Sequence, residues 1–442
     1  MIDLNGIADV RGGLVPPEIY SDPDLYQLEL QNVFGRSWLF LAHDSQLPKP
    51  GSFLQTYMGE DPILVVRQRD GEVKAFLNQC RHRGMRICRT DAGAAKTFTC
   101  SYHGWAYDLA GNLINVPGEE AVYHGELDKS RWGAHKVPRI ANHKGFYFGC
   151  WSDETPEFTD YLGDMAWYFD GLADRWDNGL ELVPGTSKWV IDCNWKFAAE
   201  QAASDMYHAP ISHASAQIAL SAEAGAQAYL PYDAPGRQFT GNGHGTGGPW
   251  PPALVMPGTD KVYGPVYENW LADNQQELHR RIGETRALAA LGHATIFPNF
   301  SWLGITATMR VYHPRGPEQM EVWTWTYMPK DAPEEVKESL RLGTQYTFSP
   351  AGVFETDDGE NWTEVQRVLR GWKARTGSFN VQMGLGHEER DVHGVPGLTN
   401  QSVAETAARG FYQRWSDLVR GLSWQEIAER DAKRAAEEVK SA

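Results

Sequence analysis

The chain has 442 residues, a formal net charge of −16, 42% hydrophobic residues and 17 tryptophans, which is room for two or three domains and a large apolar interior. Such an acidic balance argues against a nucleic-acid binder, whose contact face must neutralise phosphates. Five cysteines, Cys80, Cys88, Cys100, Cys150 and Cys193, are too few and scattered for a disulfide framework, the start MIDLNGIADVRGG lacks a basic-then-apolar pattern, and no stretch reaches the ~20 apolar residues of a membrane span. A soluble cytoplasmic protein, bound neither to nucleic acid nor to membrane, is expected.

In chain order, Ser21 or Asp22 is placed to cap a short leading helix from Pro23, with Tyr26, Leu30 and Val33 on one stripe. From Trp38 to about Trp151 short β-like runs alternate with turn residues: SFLQTYM, PILVVRQ, VKAFLNQ, KTFTCSY, GNLINV and GFYFGCW. This predicts a small all-β unit. Inside it lie Cys80-x-His82 and Cys100-x-x-His103, each at the end of a β-like run and followed by Gly84 or Gly104, so two loops can clamp one metal centre. Zinc fingers pair like ligands and use a helix; mixed thiol and imidazole pairs on two β loops favour iron. In a Rieske [2Fe-2S] cluster two cysteines hold one iron and two histidines the other, which raises the potential to roughly −150 to +300 mV and makes a one-electron relay. Arg81, Arg83, Arg86 and Arg89 form a positive cluster there, either in structural salt bridges or as a docking patch for an acidic electron donor. Cys88, Cys150 and Cys193 fit no ligand pattern and read as buried small apolar residues.

Beyond about residue 156, FTDYLGDMAWYFDGLADR reads as helix and SKWVIDCNWKF as strand, leading into NWKFAAEQAASDMYHAPISH. That stretch gathers Glu200, Asp205, His208 and His213, all able to hold or tune a metal. On one helix Asp205 and His208 share a face while His213 points away; Pro210 is expected to end or kink the helix and bring His213 back towards His208. Residues 215 to 262, crowded with Gly, Ala and Pro, read as a long loop and a lid. The runs HATIFPNFSWLGITATMRVYH and QMEVWTWTYM predict antiparallel strands of one sheet.

In FSPAGVFETDDGENWTEVQRVL, helical phase sets Phe354, Asp358, Trp362, Val365 and Leu369 on one apolar stripe, with Asp357 on the wetter flank. An inward Asp358 implies a cation or a hydrogen-bonded partner, a turn role for Asp-Asp-Gly being the alternative. The chain closes with the charged helix WQEIAERDAKRAAEEVK. His208, His213 and Asp358 would form the 2-His-1-carboxylate face that leaves open positions on non-haem Fe(II). Beside a one-electron relay, such a site points to an oxygenase.

With CRHRG at Cys80, CSYHGWAYD at Cys100, NWKFAAEQAASDMYH with His213, LGHATIFPNFSWL at Leu291 and SPAGVFETDDGENW at Ser349, the chain resembles over nearly its whole length the α subunit of Rieske non-haem iron aromatic-ring-hydroxylating dioxygenases. The wording is most similar to the biphenyl, phenylpropionate and polycyclic-aromatic branch. The resemblance implies an α+β fold: a small all-β Rieske domain, 38–156, inserted into a catalytic domain, 1–37 and 157–442, with an antiparallel sheet flanked by helices. It implies that Cys80, His82, Cys100 and His103 hold the cluster and that His208, His213 and Asp358 hold Fe(II). Asp205 would link an iron-ligand histidine to a cluster histidine of the neighbouring subunit. It further implies O2 as co-substrate, electrons from NADH through a reductase and a ferredoxin, a small β subunit in an α3β3 hexamer, and conversion of an arene to a cis-dihydrodiol. By the same matching Gln201, Met206, Ala209, His293, Leu303, Phe348 and Phe354 would line the substrate pocket, made roomier by Ala202 and Ala203. A Rieske monooxygenase or demethylase is the alternative enzyme, and a pure electron carrier or sensor the alternative class.

Overall fold

The computed structural model describes residues 7, 12–221, 236–249, 259–390 and 392–441. Asp22 accepts a hydrogen bond from the Leu25 N–H at 2.8 Å and Pro23 takes the first helical position, so the leading helix Pro23–Leu28 begins where its cap signals place it. Tyr26 and Val33 are buried as expected, and so is the charged Glu29.

Phe34–Thr155 forms one compact unit, and Met1–Val33 with Pro156–Ala442 the other, against the 38–156 insertion expected. The first is all-β apart from short helical turns. Its strands Val73–Leu77, Asp61–Arg67, Ser52–Met58 and Ala92–Ala94 make a four-stranded sheet, beside two three-stranded ones. The predicted runs are strands, whereas Ala92–Ala94 is extended only because it pairs with Ser52–Leu54; nothing in Ala-Gly-Ala favours a strand by itself. Leu64, Val66, Phe76 and Tyr107 are fully buried at the centre of this unit and pack with Cys80 and Cys100.

The second unit is built on a ten-stranded antiparallel sheet. Its order runs Leu180–Leu182, Met320–Pro329, Thr308–Pro314, Phe300–Leu303, His293–Ile296, His244–Pro249, Gly236–Gly241, Leu398–Gln401, Glu389–Arg390, with Ser187–Ile191 also pairing Met320–Pro329. Helix Trp195–Ser204 lies on this sheet, tied by the Thr295 hydroxyl to the Ala199 carbonyl at 2.8 Å. Its alanines 198, 199 and 203 are fully buried. The sheet approaches so closely that a Cβ on Gly245 would meet the Ala203 carbonyl oxygen at 2.8 Å and the Ala407 Cβ at 2.9 Å.

That close approach corrects two expectations. Residues 236–249 of the stretch read as a lid form a hairpin in the middle of the sheet, between Leu398–Gln401 and His293–Ile296. Their glycines mark the place where a helix rests on a strand, a role glycine shares with loops. Ala214–Ser221 is helical, a helix starts at Thr259, and 222–235 and 250–258 lie outside the described residues. Ala203, expected to widen the pocket, is spent on packing against Gly245. The helix read across 158–175 divides into Phe158–Leu162 and Met165–Ala173 at Gly163, whose φ of 52° is left-handed. No helix among the described residues is long and apolar enough to cross a membrane.

Candidate active site

The two cysteine–histidine loops are built alike. The Cys80 N–H donates to the Met85 carbonyl at 2.8 Å and the Gly84 N–H to the Cys80 carbonyl at 2.9 Å; the Cys100 N–H donates to the Trp105 carbonyl at 2.9 Å and the Gly104 N–H to the Cys100 carbonyl at 3.0 Å. Gly84 and Gly104 both sit at positive φ, 76° and 74°, which is why glycine follows each ligand pair. A Cβ on Gly104 would also meet Pro117 at 2.8 Å. Both thiols are buried, the Tyr107 hydroxyl donates to Cys80 Sγ at 3.3 Å, and the rings of His82 and His103 stand 4.4 Å apart. His82 stacks on Trp105 and is partly covered, while His103 is exposed.

Among the described residues only His208, His213 and Asp358 bring three ligand atoms within 4.8 Å of one another. The cysteine–histidine set therefore does not converge on one point, as tetrahedral zinc requires; donors spread over two irons suit a diiron cluster. Cys150 and Cys193 are buried as expected, whereas Cys88 is only half-buried. Arg83, Arg86 and Arg89 are exposed with no acidic partner within ion-pair distance among the described residues, and Arg81 instead lies over Trp132 and bonds the Gly133 carbonyl.

The triad comes from a broken helix and an unbroken one. Helix Trp195–Ser204 ends at Asp205, five residues before Pro210, where the break was expected. The Asp205 carboxylate captures the N–H groups of Tyr207 at 2.9 Å and His208 at 3.2 Å, which holds the backbone in a turn that competes with helix. Pro210 then sits in the first turn of the next helix, Ala209–Ser212, where its missing N–H costs nothing. His208 and His213 flank this single turn, and Nε2 of one lies 3.3 Å from Nε2 of the other.

Asp358 enters from helix Val353–Val368. Its Oδ1 lies 3.3 Å from His208 Nε2 and 3.4 Å from His213 Nε2, is buried, and has no aligned hydrogen-bond donor among the described residues. The stripe expected around it is largely present, since Phe354, Trp362 and Leu369 are buried; Val365, however, is exposed, and Gln366 is buried instead, accepting from the Asn194 N–H at 3.0 Å. A triangle with edges of 3.3–3.4 Å has its centre about 1.9 Å from each corner, close to metal–nitrogen bond lengths of about 2.0–2.1 Å. The three donors thus fit one face of a metal ion.

Each imidazole is turned by a carboxylate behind it. Asp205 Oδ2 lies 3.2 Å from His208 Nδ1, and Asp357 Oδ2 lies 3.2 Å from His213 Nδ1. Both rings thereby keep Nε2 as the free donor. Burial opposes charge here, but the carboxylates of Asp205 and Asp358 beside His208 outweigh it: both carboxyls are held below their usual range and His208 is raised to about 10. The carboxylates of Asp205 and Asp358 thus favour a positive charge at His208. A divalent cation meets the same demand.

Asp357 was read as part of the wetter flank, and its side chain is indeed about a third exposed. Its role was missed; the available signal was that a histidine ligand wants a carboxylate behind it, as Asp205 stands behind His208. Asp357→Ala is expected to weaken mononuclear iron binding by about 10–100-fold, measured as iron retained against a chelator series. Asp357→Asn, which can still accept the Nδ1–H bond, should lose less.

The remaining residues divide. Glu200 is no ligand: burial and the charges of Asp205 and Glu405 push it up to about 8, and it hydrogen-bonds Tyr412, whose hydroxyl meets that of Tyr20 at 2.6 Å. Gln201 is held by the Trp362 indole N–H, which donates to its Oε1 at 2.7 Å, with its Nε2 3.5 Å from His208 Nε2. Leu303, Phe348 and Phe354 pack together with Ala216. His293 pairs in register with Leu303, and burial, then His208 and Arg310, hold it down at about 3, so its imidazole is neutral. Met206 and Ala209 flank His208, and Ala209 is buried.

The family model for the ring hydroxylating alpha subunit (catalytic domain) matches residues 158–421, and that for the Rieske [2Fe-2S] domain matches 37–128. The chain belongs to the ring-hydroxylating α subunits. This α subunit is 47% identical to the biphenyl 2,3-dioxygenase subunit alpha of Rhodococcus jostii, over 98% of this chain and 94% of that one. It is 46% identical to the benzene 1,2-dioxygenase subunit alpha of Pseudomonas putida, over 96% and 95% of the two chains. The solved structure of naphthalene 1,2-dioxygenase with indole bound in the active site matches it with a TM-score of 0.91, at 35% identity and full coverage of both chains. The α subunit is an aromatic-ring-hydroxylating oxidoreductase, the terminal oxygenase of a multicomponent system, with a Rieske cluster and a non-haem iron as its cofactors.

Proposed function

We propose that the α subunit adds both atoms of O2 to an aromatic or polycyclic hydrocarbon, giving a cis-dihydrodiol, and that a monooxygenase or demethylase outcome is the weaker reading. The observation that carries this is the convergence of His208 Nε2, His213 Nε2 and Asp358 Oδ1 at 3.3–3.4 Å, next to apolar Leu303, Phe348 and Phe354. In this reading His208, His213 and Asp358 hold Fe(II), and Cys80, His82, Cys100 and His103 hold the cluster within Phe34–Thr155. The ferrous ion supplies open coordination positions and an electron for O2 activation. Asp205 and Asp357 fix the imidazoles, and Gln201, Met206, Ala209, His293, Leu303, Phe348 and Phe354 shape an apolar pocket in which neutral His293 is the polar contact. The balance is arene, O2, two electrons and two protons to one dihydrodiol.

The electrons would come from NADH through a reductase and a ferredoxin. Exposed Arg83, Arg86 and Arg89, none of them in an ion pair among the described residues, favour docking of an acidic donor. Exposed His103 in one copy and the part-exposed carboxylate of Asp205 in another suit a relay between neighbouring copies in an α3β3 assembly with a small β subunit, and the cytoplasm suits reduced thiols. Biphenyl turned over by the reconstituted system under 18O2 should give a dihydrodiol carrying two labelled oxygens. A product carrying one would replace dihydroxylation by the monooxygenase reading.

A further inference from the structure

One buried ion pair lies beside the triad without belonging to it. Arg310, on strand Thr308–Pro314, places Nη2 3.0 Å from Glu355 Oε2, with side chains 8% and 2% exposed. Glu355 stands in the first turn of the helix that carries Asp358, three residues ahead of it. The Arg310 guanidinium carbon also lies 4.6 Å from the centre of the Phe348 ring. Phe348 is 5.5 Å from Phe354, and Phe354 meets the ring of His213 edge-on at 4.9 Å. A single buried cation therefore touches both routes to the iron face: through Glu355 along the ligand helix to Asp358, and through Phe348 and Phe354 to His213.

Stability is a poor explanation for such a pair. Arg310 Nε and Nη2 and both Glu355 oxygens lack aligned hydrogen bonds, and a buried ion pair so placed is often matched or bettered by apolar residues of similar size. Position is what a buried charge contributes and an apolar side chain does not. The guanidinium prefers to face the Phe348 ring, which restrains the tilt of that ring.

We propose that Arg310 and Glu355 are positioning residues that set the angle at which an arene meets the triad, by holding the Phe348 ring and fixing the first turn of the ligand helix. This rests on the dihydroxylation reading above. The α subunit, purified with its partner proteins, would be compared with Arg310→Lys, Glu355→Gln and the double variant Arg310→Met with Glu355→Met, using biphenyl as probe. Four readouts separate the possibilities: iron content and Rieske spectrum, the thermal midpoint, the affinity of iron-depleted protein for biphenyl, and the ratio of dihydrodiol regioisomers with peroxide released per NADH.

The double variant is expected to keep iron, spectrum and midpoint, to change its affinity for biphenyl by less than about twofold, and to shift the isomer ratio by about fivefold with more peroxide. Arg310→Lys, which keeps a cation near the ring, should keep most of the ratio. If the double variant does not fold, Glu355→Gln, which keeps shape and loses charge, carries the same expected shift in ratio. An unchanged ratio and unchanged peroxide in the folded variants overturn the proposal, and so does a shift accompanied by loss of iron, which makes the pair structural. Absence of any dihydrodiol from the unaltered protein refutes the underlying reading instead.

Discussion

His213→Ala is expected to abolish turnover, by about 10³-fold or more, while the Rieske absorption and EPR signals stay as they are in the unaltered protein. The loss is large because three donors are the whole protein contribution to that face: His208 Nε2, His213 Nε2 and Asp358 Oδ1 stand 3.3–3.4 Å apart, and no fourth carboxylate or imidazole among the described residues joins the cluster. Asp357 cannot substitute, since its Oδ2 faces the far nitrogen of the ring that is removed. Truncation also removes the ring that meets Phe354 edge-on, so the apolar wall loses a neighbour as well as the metal a ligand. In the proposed reading the cluster would be insulated, because Cys80, His82, Cys100 and His103 all lie in Phe34–Thr155, a unit with its own core. The check is anaerobic iron analysis with spectroscopy and an oxygen-uptake assay on one preparation. Retained activity would show that the triad is not the reacting centre.

Glu29→Ala is expected to lower the stability of the catalytic unit by about 3–5 kcal/mol. Glu29 is 1% exposed and receives three donors: Lys196 Nζ at 2.5 Å, the Trp195 indole N–H at 2.9 Å and the Trp415 indole N–H at 2.7 Å. Lys196 is itself fully buried among the rings of Tyr20, Trp195 and Trp415. Removing the carboxylate leaves an ammonium and two indole N–H groups in an apolar shell without their acceptor, and burial already pulls Lys196 below the ordinary lysine range. Since Lys196 and Trp195 begin the helix that leads to Asp205, iron retention should fall together with the thermal midpoint. Replacing both partners, Glu29→Met with Lys196→Met, should recover most of the stability, because no charge then remains unpaired. A single variant with an unchanged midpoint would mean that water reaches the site and that the pair contributes nothing.

Much of the metal chemistry was legible because it depends on residue type and short spacing. Cys80-x-His82-x-Gly and Cys100-x-x-His-Gly each encode a loop closed by the same two backbone hydrogen bonds, which needs glycine at positive φ and nothing distant. Asp358 could be aimed inward by counting turns from Phe354 and Trp362. Counting failed where side chains redirect the backbone. The break after Ser204 belongs to the Asp205 carboxylate, which holds two N–H groups, and Pro210 only follows it.

What the sequence determined by itself is local: the capped leading helix, the paired ligand loops, the helical phase of Asp358, and the family to which these motifs belong. What only the tertiary structure decided is every partnership across long separations. Gly245 beneath Ala203 turned an expected lid into central sheet, Asp357 proved to orient His213, and Glu29 found Lys196 167 residues away. The reason is physical. Periodicity and turn chemistry act over a few residues, whereas the placing of a buried charge or a missing side chain depends on which surfaces meet when the sheet closes on its helices.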